Sequence, residues 1–200
     1  RTWSNFNSFV GTTTTLDFDG TAGNPGMQDR EEQVRYTTGP LSVALEDPRG
    51  SLGAVSAPNT QWVIDQDTGT LAQETVDAAV GDVEAKKSLP ALTARFEDSN
   101  DMMSYSAAAV IKQLSYDTGT ADDSAIGFAA FAAAKFNVTD MLSIQGAVNY
   151  SDGANTYVWR TGDNYYGTDG YVVDGDIETI SSYSATIGTS LSLGNGSSVN

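Results

Sequence analysis

From Leu142 to Ser151 the chain alternates without an error: Leu142, Ile144, Gly146, Val148 and Tyr150 interleave with Ser143, Gln145, Ala147, Asn149 and Ser151, none of them charged. The pattern returns downstream, where Tyr183, Ala185, Ile187, Thr189, Leu191 and Leu193 interleave with Ser182, Ser184, Thr186, Gly188, Ser190 and Ser192. Successive side chains of a strand point to opposite faces, so a period of two means strands with one oily and one wet face. In a soluble sandwich the oily face is the core. In a membrane barrel it meets lipid, and the polar face lines water. The period does not choose between these two folds, but the lengths of the connections do.

Alternation places strands at Arg1–Phe9, Gln33–Thr38, Leu41–Asp47, Leu89–Glu97, Met102–Tyr116, Ser124–Asn137, Met141–Ser151 and Thr179–Leu193. The connections follow a rhythm. Gly11 to Glu32, Pro48 to Ser88 and Asp152 to Glu178 are long, and Thr118 to Asp123 is moderate. Between them fall tight turns at Thr38-Gly39-Pro40, Asp98 to Asp101, Asn137 to Asp140 and Gly194 to Ser197, rich in the Gly, Pro, Asn and Asp that turns require. An up-and-down outer-membrane barrel alternates in this way because one end is closed by short turns and the other carries the loops. A Greek-key sandwich has no reason to keep that rhythm. The expectation is an all-β chain forming part of a transmembrane antiparallel up-and-down β-barrel, with about eight strands here.

Composition removes several chemistries. With 26 acidic against 10 basic residues the net charge is -16, which disfavours nucleic acid as a partner. The chain has no cysteine and no histidine, so it lacks disulfides, thiolate catalysts, zinc-thiolate sites and the commonest general base. No enzyme is expected. No apolar run approaches the ~20 residues of a helical span, so strands must do any crossing. The mean hydropathy is negative, as it is in barrels, where every second residue is polar. Arg1 opens the chain without an initiator methionine, and Ser197, Ser198, Val199 and Asn200 read as the start of another strand. The expectation is a fragment, with a secretory signal upstream.

Faces follow from parity. Ile126, Phe128, Ala130, Ala132, Ala134 and Phe136 are expected toward lipid, and Gly127, Ala129, Phe131, Ala133, Lys135 and Asn137 toward the lumen. Phe136 and Tyr150 stand at opposite ends of their strands, as girdle residues do. Met103, Tyr105, Ala107, Ala109 and Ile111 form another oily row, but Leu114 and Tyr116 change parity, which marks either a bulge near Lys112 or a misassigned row. Within the loop at 48–88, Leu71, Thr75, Val76, Ala79, Val80 and Val83 fall at helical spacing, so Leu71 to Lys87 is expected as a short helix or an irregular loop.

Three stretches carry a family resemblance: Arg1-Thr2-Trp3-Ser4-Asn5-Phe6; then Leu16-Asp17-Phe18-Asp19-Gly20 with Gln33-Val34-Arg35-Tyr36-Thr37; then Leu41 through Pro48, Leu-Ser-Val-Ala-Leu-Glu-Asp-Pro. Together and in this order they resemble the DcaP-like outer-membrane porins of Gram-negative bacteria, with Arg1 where that family often has Gln and Thr21 where it has Pro. The close match covers the first quarter, and the remainder matches in barrel pattern. The resemblance implies a homotrimer of barrels with about sixteen strands each, set among outer-membrane lipid and lipopolysaccharide. Residues 1–200 would then supply about half of one barrel. Such a porin passes small hydrophilic, mostly anionic solutes such as dicarboxylates by diffusion. Residues 10–32 would fold inward as the constriction loop, with 48–88 and 152–178 as extracellular loops.

A passive pore needs a constriction whose charge and width select solutes, and no nucleophile. Inward parity groups Gln33 and Arg35, then Ser42, Ala44 and Glu46, then Thr93, Arg95 and Glu97. Arg35 and Arg95 are the candidates for a basic rail, because guanidinium offers a fork of donors matched to carboxylate. Opposite them Asp17, Asp19, Asp29 and Glu31, acting with Arg30, would set a transverse field. The plainer alternative is that the arginines pair with Glu46 and Glu97 and brace the wall.

The competing function is a secreted β-sandwich or adhesin-like binding module whose acidic loops bind calcium or glycans. Asp117 with Asp122 and Asp123, and Asp163, Asp169, Asp174 and Asp176, could supply hard oxygen ligands to calcium, although none has EF-hand spacing. A solvated acidic rim explains them as well. Trp3, Phe6 and Phe9 read either as a sugar-stacking slide or as packing. The carboxylate pairs Asp17 with Asp19 and Asp174 with Asp176 lack any supporting glycosidase motif.

Overall fold

A computed structural model describes residues 2–13, 23–26, 30–55, 59–64, 71–76, 80–158, 168–194 and 197–199. Its strands in chain order are β1 (Thr2–Trp3), β2 (Arg30–Glu31), β3 (Gln33–Thr38), β4 (Leu41–Glu46), β5 (Leu52–Val55), β6 (Asn59–Ile64), β7 (Leu71–Val76) and β8 (Val80–Val83). They continue with β9 (Ala91–Ser99), β10 (Met103–Asp117), β11 (Asp122–Asn137), β12 (Leu142–Asp152), β13 (Gly170–Val173), β14 (Asp176–Thr179), β15 (Ser181–Gly194) and β16 (Ser197–Val199). A single 3-10 turn, Asn155–Tyr157, is the only helical element among the described residues.

One eight-stranded sheet, ordered β16-β15-β12-β11-β10-β9-β4-β3, forms a wall in which every neighbouring pair is antiparallel. The chain is therefore all-β, and each wall strand pairs with the next wall strand in sequence. The wall is open at β3 and β16, and no strand among the described residues closes it. Short turns join β3 to β4, β9 to β10, β11 to β12 and β15 to β16 at one end, and the long excursions leave from the other. β10 and β11 run 15 and 16 residues, longer than the ~9–11 that cross a bilayer. Their excess length projects at the loop end.

The β10–β11 register runs unbroken from Met103↔Phe136 to Asp117↔Asp122. No bulge falls at Lys112. Leu114 and Tyr116 belong to the inner row together with Val110 and Lys112, and all four are buried. At the loop end Leu114 and Tyr116 of that row support a second layer.

That layer is a four-stranded sheet, β14-β13-β5-β8, built from the two longest loops. Its pairing of β5 with β13 is parallel, Leu52↔Gly170, Gly53↔Tyr171 and Ala54↔Val172. Leu52, Leu114 and Tyr116 form its core, with Val83, Ala85, Ala125, Val172 and Ile177 packed around them. Among the described residues of Leu71 to Lys87 there is no helix: Leu71–Val76 and Val80–Val83 are strands, β7 paired with β6 and β8 with β5, and residues 84–87 follow without regular structure. Thr75, Val76, Val80 and Val83 are β-branched, and in so short a run helical spacing does not outweigh stiff side chains and available strand partners. The segment Arg1–Phe9 also departs from expectation, since only Thr2–Trp3 is strand and the chain then turns across the wall.

Candidate functional site

The two faces of the wall differ in kind. Outward rows carry Val34, Tyr36, Val43, Leu45, Ile126, Phe128, Val148, Tyr183 and Ile187 in the open, with Val34 at 79%, Ile187 at 81% and Tyr183 at 89% exposure. Phe96 stacks on Tyr105 at 6.0 Å near the tight turns, and Phe128 meets Tyr150 at 5.9 Å near the loops. Between these aromatic belts the outward rows of β10, β11, β12 and β15 hold Ala, Ile, Val, Gly and Thr and no charge. Phe128 and Phe136 are eight residues apart on one strand, about 26 Å at ~3.3 Å per residue. Tilted by ~40°, that becomes about 20 Å, close to the ~25 Å apolar band of membrane barrels.

On the inward face a strap of residues 4–13 and 23–26 lies flat against the wall. It crosses from Glu46 on β4 to Thr186 on β15, five strand spacings or about 24 Å. Ser4 Oγ donates to Glu46 at 2.7 Å and the Asn5 backbone N–H donates to the same carboxylate. Ser42 Oγ donates to Asn5 Oδ1 at 2.6 Å, and Asn5 Nδ2 donates to the Ser42 and Thr93 carbonyls. Further along, Ser8 Oγ donates to Glu97 at 2.6 Å and Arg95 donates to the Asn7 carbonyl. At the far end Gln145 Nε2 donates to Thr12 O at 2.7 Å and the hydroxyls of Thr13 and Thr186 meet at 2.7 Å. On the return, Gly26 N donates to Asn149 Oδ1 and Asn149 Nδ2 donates to Asn24 O.

Phe6 is the strap's apolar anchor, fully buried with its ring edge-on to Phe131 at 5.1 Å and to Tyr157 at 5.9 Å. Gly11 and Gly26 turn the strap at φ +77° and +68°, and a Cβ on either would collide with a carbonyl oxygen, that of Gly146 or of Phe6. Only glycine combines that φ with such an approach.

Each candidate charge has a definite place. Arg35 donates to Gln33 Oε1 at 2.8 Å and to Trp3 O, close enough to Arg95 and Glu46 for their charges to act on it. Arg35 and Arg95 thus reach backbone carbonyls, of Trp3 in β1 and of Asn7 in the strap, rather than the carboxylates of Glu46 and Glu97. Glu46 is 1% exposed, so its position is that of an anchor under the strap rather than a surface in contact with solute. Glu97 anchors Ser8 in the same way. Arg30 lies 5.2 Å from the Trp3 ring centroid, and Glu31 pairs with Arg49. Asp17, Asp19 and Asp29 lie outside the described residues, as does Asp163. The strap begins at residue 4, earlier than the expected inward loop, because Glu46 captures the chain at Ser4 and Asn5.

A second charged centre was not singled out from sequence. Lys112 on β10 pairs with Asp169, both side chains at 0% exposure. Lys112 also donates to Arg49 O and to Thr156 Oγ1, and its ammonium lies 5.5 Å from the Tyr157 ring centroid. Asp169 accepts from Thr156 N at 2.9 Å and Ser51 N at 3.1 Å. Burial pushes the Asp169 carboxyl above its ordinary pKa, opposed by the Lys112 ammonium and these donors. Burial also pushes the Tyr157 phenol up. The available signal was a lone lysine inside an otherwise uncharged strand run, which demands a partner.

Asp169 is therefore spent on a lysine. Asp123 accepts from Ile177 N at 2.8 Å, and Asp117 from Gly119 N and Lys86. Among the described residues no group of three or more carboxylates is placed to hold a metal ion. Comparison with family models, curated proteins and solved structures finds no match for this chain.

Proposed function

We propose that this chain is part of the wall and constriction of an outer-membrane diffusion channel that passes small hydrophilic solutes, preferentially anions such as dicarboxylates. The observation that carries this reading is the uncovered, charge-free apolar face between two aromatic belts, opposite a polar face crossed by a hydrogen-bonded strap. A soluble sandwich would bury its oily rows against a second sheet. Here the second sheet packs on the opposite face of the wall. Bulk water makes a continuous apolar face of this size costly, whereas lipid makes it the ground state.

The strap narrows the water side in this reading, and Arg35 and Arg95 set the sign of its field while Glu46 and Glu97 are occupied in holding it. The open edges at β3 and β16 would be paired by the remaining strands of the barrel. Assembly as a homotrimer, contact with lipopolysaccharide and location in a Gram-negative outer membrane belong to the same proposal.

The test is stepwise conductance of the full-length protein in planar bilayers, together with an Ile187→Arg variant. A charge on the lipid face near the bilayer midplane costs about 2–4 kcal/mol, whereas a water-exposed substitution stays within about 0.5 kcal/mol. Loss of bilayer insertion is the expected result. Unaltered stability of a detergent-free, non-conducting protein would replace the channel with the secreted binding module.

A further inference from the structure

The two longest loops do not hang free above the wall. They share a parallel strand pair, and Asp169 N donates to Ser51 O at 2.9 Å while Ser51 N donates to the Asp169 carboxylate, so the loops hold each other through backbone pairing and through the Asp169 side chain. Parallel pairing forms only when a long connection brings distant segments together. The pair therefore makes one body, a cap, of residues 49–55, 80–85, 155–158 and 168–179. The cap reaches the wall through an apolar cluster around Leu52, Leu114 and Tyr116, through hydrogen bonds from Tyr116 to the Gly175 carbonyl, from Ile177 N to Asp123 and from Ser182 to Asn155, and through one fully buried ion pair, Lys112 with Asp169.

We infer that Lys112 and Asp169 form a latch that holds this cap closed over the mouth on the wall's inner face, and that its release widens the passage. Lys112 stands on the inner row of the wall. If the cap lifts, the ammonium faces water and Asp169 leaves with the loops, so both charges regain hydration. A buried pair in a soluble core has no such alternative, because separating it leaves charges in a dry interior. Here the desolvation cost of the closed state is returned on opening, which brings the two states close in free energy, as switching requires. The aromatic ring of Tyr157 and the carbonyl of Arg49 complete the lysine's shell only when the cap is down.

The effect on conductance rests on the channel reading; the docking of the cap does not. Full-length protein in micelles carrying Asp169→Asn should show amide exchange in β5 and β13 faster by about ten-fold or more, with β11 and β12 unchanged, and a raised single-channel conductance. Lys112→Met with Asp169→Leu, which replaces the pair by apolar volume, should restore protection. The chain has no cysteine, so Gly53→Cys with Tyr171→Cys gives one defined cross-link between the loops. Oxidised in the Asp169→Asn background, it should leave conductance raised, since it joins loop to loop and not cap to wall. Unchanged exchange in β5 and β13 in the Asp169→Asn protein would overturn the latch, as would conductance that falls to the wild-type level when the cross-link closes. Should Asp169→Asn fail to assemble, Lys112→Gln tests the same contact from the wall side, with the same outcomes. A wild-type protein that passes no current would remove the channel, leaving exchange alone to judge the latch.

Discussion

Strap and cap lie on the same face of one wall, yet they are attached by opposite means. The strap is held by many neutral or charge-assisted hydrogen bonds spread from Glu46 to Thr186, with glycine allowing backbone to lie against backbone. Each such bond contributes about 1 kcal/mol net, and losing one leaves the rest in register. The cap has fewer hydrogen bonds to the wall, among them Tyr116 to the Gly175 carbonyl and Ile177 N to Asp123, and its attachment centres on one fully buried ion pair and a compact apolar cluster. Breaking one partner of such a pair costs about 3–5 kcal/mol. In the proposed channel, distributed attachment would suit a strap that keeps a fixed aperture, and concentrated attachment would suit a cap that moves. Phe6 joins the two, since its ring touches Phe131 of the wall and Tyr157 of the cap.

The largest effect should come from Lys112→Ala. It leaves Asp169 without its cation, and a loss of about 3–5 kcal/mol in cap stability is expected, read as faster amide exchange at Leu52 and Gly170 while strap amides stay protected. Equal loosening of the strap would dissolve the distinction between the two regions. Next, Gly11→Ala forces a strained φ and a clash with the Gly146 carbonyl, costing about 1–3 kcal/mol. The strap amides from Ser8 to Thr13 should exchange faster, and the cap should not respond. The smallest change in stability should follow Arg35→Ala or Arg95→Ala, which remove a bond to the Trp3 or the Asn7 carbonyl, about 1 kcal/mol. Their effect should appear instead in reversal potentials across a salt gradient, as a reduced preference for anions. Unaltered reversal potentials in both variants would remove the rail and leave these arginines as braces.

Much of the wall was legible because alternation is a local property. Seven of the expected strands lie in it within two residues at either boundary, and the strand begun at Ser197 is its eighth. Inward and outward parity was legible for the same reason, including the burial of Ala129, Phe131 and Ala133 and the exposure of Ile126, Phe128 and Phe136. The errors share another cause. Leu71–Val76 and Val80–Val83 form strands because Asn59–Ile64 and Leu52–Val55 accept them, and a single window contains no record of its partners. Ser4 to Ser8 leaves strand conformation because Glu46 and Glu97 recruit it across the sheet. Glu46 shares the inward row that its parity assigned, and it lies buried beneath the strap.

The chain's own order of residues determined which side of each strand is oily, where the tight turns fall and that no thiol or imidazole chemistry is available, since these follow from side-chain type and a two-residue period. Tertiary structure alone decided that Lys112 meets Asp169, that two loops pair in parallel and that a strap spans the polar face. Those contacts join residues tens of positions apart, and their free energy comes from desolvation and shared hydrogen bonds that arise only once the wall has brought the partners together.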